Sequence, residues 1–283
     1  MNKLAIIADT TQDLTLEMGR RMNIEIVPYI VQMDDQVYRD QVDLTSQVFY
    51  QEMESARELL TAVPPVQDVM DCLAKVQEQG YDQALVITSS SKLTGMRQLY
   101  EILKSNGDTI PLTIFETDHI AIASGLFTLY AAELRNQGHS LNKIVAELER
   151  VHHQMRVFAV FRTLKYVIKG GRLNKYQSLL GTLLNINPLL TLKEGEITIV
   201  KKTRGRKRSY QLLKSTLQEQ IRGHQKYIMA LFGSANSQEL KQLEADLDQE
   251  IQGASAYYVT DLTPVLGVHA GPLALGGAVM VLD

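Results

Sequence analysis

Three short apolar runs set the strongest limit on the fold. They are "LAIIAD" at 4–9, "QALVIT" at 83–88 and "LTIFET" at 112–117, and each is followed by a stretch of helical character. Runs of six residues are too short for an ordinary helix and read as strands buried on both faces. Strands that alternate with helices are joined by crossovers, and crossovers make neighbouring strands parallel. The first half therefore predicts a doubly wound, mostly parallel α/β sheet, with its first helix starting near Asp13. "IEIVPYIV" at 24–31 reads as a further strand. The polar segment from about 32 to 60 reads as an insertion. The double Pro of "LLTAVPPVQD" is an extended break before a helix from Gln67.

The second half changes character. Leu141, Ile144, Val145, Leu148, Val151 and Met155 form one helical stripe with Ser140 as its cap. "NPLLTLKEGEITIV" then holds two short strands around a Glu-Gly turn. Helices over 207–222 and 236–251 alternate with the strands "YIMALF", "SAYYVTDL" and "GAVMVLD". This predicts an α+β unit with a mixed or antiparallel sheet. A chain of 283 residues suits two domains, and we place them at 1–157 and 158–283.

Composition excludes several classes of function. The net charge of −3 is wrong for a surface that is basic throughout and binds nucleic acid. A single cysteine, Cys72, rules out a disulfide framework and a multi-Cys metal site. It shares helical spacing with Val69, Leu73 and Val76 and reads as a buried thiol. No two histidines have the spacing of a zinc motif, so no metal is expected; His152 and His153 read as solvated. No apolar run approaches the ~20 residues that span a bilayer. The opening residues read as a first strand rather than a signal peptide, so a cytoplasmic protein without integral membrane association is expected.

Candidate chemistry collects at strand ends. Asp9, Thr10 and Thr11 close the first strand, where open α/β sheets bind ligands. Ser89, Ser90, Ser91, Thr94 and Gly95 form a hydroxyl-rich loop entering a helix, a setting that suits an anionic group. Neither GxGxxG nor GxxxxGK[ST] occurs, so no nucleotide site is signalled. His269 lies in a Gly-rich loop, "VLGVHAGPLALGG". "KKTRGRKR" at 201–208 holds six basic residues in eight and stands out in an acidic chain. In "KYVIKGGRL" one Gly is explained as a helix C-cap; the second Gly and Arg172 are not.

In order and spacing, "IIADTTQDL", "SSKLTG", "LKYVIKGGRLNKYQSLLGTLLNINPLL", "KTRGRKR" and "GVHAGPLALG" resemble the bacterial DegV family along the whole chain. That resemblance implies two α/β domains with a long-chain fatty acid such as palmitate, stearate or oleate in a tunnel between them. It implies a carboxylate held by Thr61, Thr94 and His269, beside Gly95, with Arg172 near its exit. The protein would be a carrier without catalytic residues or cofactor, monomeric or weakly dimeric. In some members a separate fatty acid kinase subunit phosphorylates the bound carboxylate, and Arg172 with Arg204, Arg206 and Lys207 would then serve that partner. The chain departs from the family pattern at Ala62, Val63, Met96, Asn187 and Ala270. Chemistry alone agrees with a lipid. Burying a carboxylate is costly without hydrogen bonds, and each buried CH₂ of a tail contributes about 0.8 kcal/mol. The competing reading is a small-molecule hydrolase or phosphotransferase using Asp9, Thr94 and His269, which must then converge.

Overall fold

In the computed structural model, which describes residues 3–107, 109–173 and 186–283, the first apolar run is a fully buried strand, β1 (Leu4–Asp9). A 3-10 turn, Thr10–Gln12, follows. The first helix, α1 (Leu16–Met22), starts later than expected, because Thr15 is its cap and accepts the Met18 N–H. Asp13 instead takes the left-handed conformation, φ 52°.

The expected strand at 24–31 is two strands in different sheets. β2 (Ile24–Val27) pairs in parallel with β1, while β3 (Ile30–Met33) turns away. Pro28 sits at the break, as a residue with no N–H to give a ladder must. The polar insertion folds around β3. β4 (Gln36–Arg39) pairs antiparallel with one edge, and β5 (Leu59–Ala62), reached through α2 (Ser46–Glu52), pairs with the other. After the double Pro come α3 (Val66–Glu78), β6 (Gln83–Thr88), α4 (Met96–Asn106) and β7 (Leu112–Glu116). The first sheet has the order β2-β1-β6-β7, all parallel. The chain leaves β1 toward β2 and later returns to its other side as β6. A crevice therefore opens at the carboxyl ends of β1 and β6.

α5 (Ile122–Asn136) buries eleven of its residues and is apolar on nearly every side. Such a helix needs cover all round. It lies between β1 and β6 on one side and the second sheet on the other. α6 (Leu141–His152) packs beside it, capped by Ser140 as expected. One continuous core thus joins both halves of the chain. His152 is not solvated as expected. It is largely buried, its ring 5.9 Å from that of Phe115 and 5.8 Å from that of Phe127. Cys72 is partly buried, and burial pushes its thiol up to about 12, so it is an inert side chain.

The remaining elements are β8 (Met155–Val160), α7 (Lys165–Lys169), β9 (Ile186–Lys193), β10 (Glu196–Arg204), α8 (Arg206–Ile221), β11 (Tyr227–Gly233), α9 (Ser237–Asp246), α10 (Asp248–Gly253), β12 (Ala256–Asp261), α11 (Pro264–Ala270) and β13 (Leu275–Val281). The second sheet runs β10-β9-β8-β13-β11-β12 and is antiparallel except for β11 with β12. It is the mixed sheet that the sequence predicts. Its far face is covered by α8 and α9 through Leu213, Leu217, Leu240 and Leu243. The expected helix at 236–251 is interrupted at Leu247, φ −113°. Part of the expected Gly-rich loop is helical. Pro264 opens α11 at a position where its fixed φ suits a first helical turn.

Candidate functional site

The Lys-Gly-Gly-Arg element ends α7 in a Schellman motif. The Gly171 N–H donates to Ile168 O and the Arg172 N–H to Val167 O, at 3.0 and 3.1 Å. Gly171 supplies the left-handed residue, φ 76°. Gly170 has an ordinary φ of −72°, so backbone freedom does not explain it. Space does: a Cβ there would lie 2.2 Å from His269 Nδ1. The first Gly makes room for the imidazole, and the second turns the chain so that Arg172 follows at once. Arg172 is half-buried, and its guanidinium donates back to Gly170 O.

His269 rides on the last turn of α11. Its Nε2 lies 2.9 Å from Thr61 Oγ1, on β5, although the two residues are 208 apart in sequence. Thr61 stands opposite the buried Val31, which puts its side chain on the inner face of the small sheet. Burial, with the Arg172 charge adding to it, lowers the imidazole to about 3, so the ring is neutral. One of its nitrogens therefore donates and the other accepts.

Thr61, Thr94, Gly95, Arg172 and His269 all line one cavity of 290 Å³. Most of its wall is aliphatic or aromatic. Val157, Ala159 and Phe232 come from the second sheet, and Leu190, Leu192 and Ile197 from the β9–β10 hairpin. The hairpin tip docks on the first half of the chain, where Ser90 Oγ donates to Gly195 O at 2.8 Å. A polar cleft adjoins the cavity. It shares Leu93, Thr94, Gly95 and Arg172 with it and adds Ser91, Lys92, Gly170 and Gly171. Thr94 donates to Ser90 O at 3.3 Å, and Gly95 leads into α4.

Residues 3–281 match the family described as "Uncharacterised protein, DegV family". The chain belongs to the DegV family. A DegV domain-containing protein of Clostridium acetobutylicum is 29% identical over 277 residues, 98% of each chain. Among solved structures, a DegV family protein from Thermus thermophilus, described by its fatty acid binding, superposes with a TM-score of 0.91. It is 27% identical, with 99% of this chain and 100% of that one covered. DegV of Bacillus subtilis, described as a fatty acid binding protein, gives 0.88 at 26% identity, with 99% and 100% covered.

Of the other sequence candidates in this DegV fold, Thr11 also lines the cavity, whereas Asp9 and Arg206 lie elsewhere. The Asp9 carboxylate accepts the Thr11 N–H at 2.8 Å and its hydroxyl, and is fully buried outside the cavity wall. Of the three residues a hydrolase would use, Thr94 and His269 share the cavity wall and Asp9 does not line it; His269 bonds Thr61, and the Thr94 hydroxyl donates to Ser90 O. Arg206 is held by Glu239, which also takes Arg162 at 2.6 Å. Arg204 ends β10 and Lys207 lies in the exposed first turn of α8. Among the described residues no group of His, Cys, Asp or Glu is arranged for a metal, and no helix is long and apolar enough to cross a membrane. Sequence reasoning missed Tyr29, which lines the cavity beside Thr94 and the amino end of α4. Pro28 was its signal, since a residue directly after a strand break is free to leave the sheet.

Proposed function

We propose that this protein is a cytoplasmic carrier that binds a long-chain fatty acid, of the palmitate, stearate or oleate class, in the cavity between its two halves. One observation carries this reading. The cavity is apolar over most of its wall, Thr61 and His269 bond each other on that wall, and Thr94 and Arg172 are shared with the polar cleft. The tail would occupy the apolar part. The carboxylate would sit at Thr61, Thr94 and His269, with the α4 amino end at Gly95 adding the positive end of a helix dipole. Arg172 lies in both cavity and cleft, a position from which it meets an incoming phosphate or the carboxylate without touching the tail. The fold of the Thermus and Bacillus proteins supports the same ligand class. The finer role is presentation of the head group to a fatty acid kinase subunit, with Arg204 and Lys207 as docking charges.

Native mass spectrometry tests the ligand. The protein is expected to carry one fatty acid, to lose it on organic extraction and to regain it from added palmitate or oleate. No fatty acid before extraction and no uptake afterwards would overturn the reading. Arg172→Ala is expected to keep lipid affinity while losing acyl-phosphate formation with a fatty acid kinase.

A further inference from the structure

His269 owes its place to α11, and α11 is too short to hold itself. It has seven residues, and its N-cap residue Thr263 makes no side-chain cap. The Thr263 hydroxyl donates instead to Thr10 O, at 2.9 Å. The first half of the chain supplies the missing acceptors. Asp13 Oδ1 accepts the Thr263 N–H at 2.9 Å across 250 residues. The Asp40 carboxylate faces the Val265 and Gln41 amides and the Thr10 hydroxyl, with neither oxygen in full hydrogen-bond geometry. Both aspartates are fully buried. The flank of the helix is fixed from the same side. Leu262 O, just before it, accepts from the hydroxyls of Ser46 and Tyr50, and Phe49 and Tyr50 press against Gly267.

We infer that Asp13, supported by Asp40, is a positioning residue for the head-group site: it grips the amino end of α11 and so fixes where His269 meets Thr61. The inference rests on the fatty-acid reading. A carboxyl oxygen that accepts a free N–H at a helix amino end satisfies a donor that has no partner inside the helix, and here the grip also sets translation along the helix axis. His269 lies six residues beyond the gripped Thr263, about 9 Å along the axis at 1.5 Å per residue. A shift at one end is carried whole to the imidazole, because so short a helix moves as a unit. Asp13 holds this place in the left-handed conformation, which Asn and Gly also adopt readily.

That tolerance gives a clean test. Asp13→Gly removes the carboxylate without backbone strain, and Asp13→Asn keeps an acceptor oxygen of the same shape. Palmitate affinity is measured alongside the ring resonances of ¹⁵N-labelled His269, with Leu243→Ala in the far core as a control of similar destabilisation. Asp13→Gly is expected to weaken palmitate binding about tenfold or more, the scale of losing one well-made hydrogen bond at the site. It should also shift the His269 resonances, while Asp13→Asn and Leu243→Ala stay close to the unmodified protein in both. Unmoved resonances in Asp13→Gly, or an Asp13→Asn as impaired as Asp13→Gly, would overturn the inference. Should Asp13→Gly not fold, Asp40→Ala is read the same way. If the unmodified protein takes no palmitate, the fatty-acid reading fails, while the His269 resonances still decide the role of Asp13.

Discussion

His269 is neutral because burial and the neighbouring guanidinium both oppose a second proton. A carboxylate arriving at His269 would reverse part of that opposition, since an opposite charge favours the protonated ring. We expect an NMR titration to show the His269 pKa rising when palmitate binds. An unchanged titration would place the carboxylate elsewhere. Removing the hydroxyl partner, by Thr61→Val, should cost about 1.5–3 kcal/mol of lipid binding, the range for a hydrogen bond to a charged group. Asp40 gives a pH signature of a different kind. Burial lifts its pKa from 3.8 to about 7. Between those values the folded chain holds a proton that the unfolded chain has lost, so rising pH removes stability across that window. Asp40→Asn has no such proton. Its stability relative to the unmodified protein should therefore rise from about pH 4 to about pH 7, by on the order of 1.4 kcal/mol per pH unit, and then level off. Urea unfolding at several pH values measures this. The sequence offered these residues unequally. Thr61, Thr94, Arg172 and His269 stood in recognisable motifs, whereas Asp13 read only as the start of a helix and Asp40 as part of the polar insertion, because nothing local says which distant amide they will meet.

Gly170 and Gly171 show how one element's end answers two demands. Gly171→Ala should cost stability, about 1 kcal/mol for forcing a side chain into the left-handed region, and leave lipid binding nearly intact. Gly170→Ala should do the reverse. Its methyl group would displace the imidazole from Thr61, so lipid affinity is expected to fall well beyond any change in melting temperature. Equal loss of affinity in both variants would refute this division. Helices and strands with strong periodicity were legible, including β1, β6, β7 and α6. The failures have physical causes. Pro28 split a run whose apolar character was continuous. The three-stranded sheet of β3, β4 and β5 was hidden because its outer face is wet and its strands are short. α11 looked like a loop because its one glycine, Gly267, serves close packing on Phe49 and Tyr50, not chain reversal.

At the scale of the molecule, the cavity is closed by parts from both halves, so its occupant should bind the folded state alone. Mass action then ties melting to lipid. A ligand at a hundred times its Kd adds about 2.7 kcal/mol, and delipidated protein should melt lower and recover on addition of palmitate. A melting temperature indifferent to lipid would mean that the cavity is not its site. The two-sheet architecture was legible from the change of pattern between the halves. The cavity was legible only through the family resemblance, because its wall residues look like any other core residues until the sheets face each other.

The span between Thr61 and His269 also orders events during synthesis. At about 5–20 residues per second, the ribosome needs roughly 10 to 40 s to travel from one to the other. β13, which lies between β8 and β11 in the second sheet, is made later still. The parallel sheet and α5 can assemble while the chain is still growing, but the pocket has no complete far wall until β13 has left the ribosome. On the fatty-acid reading, a nascent chain stalled before β12 should therefore retain no fatty acid.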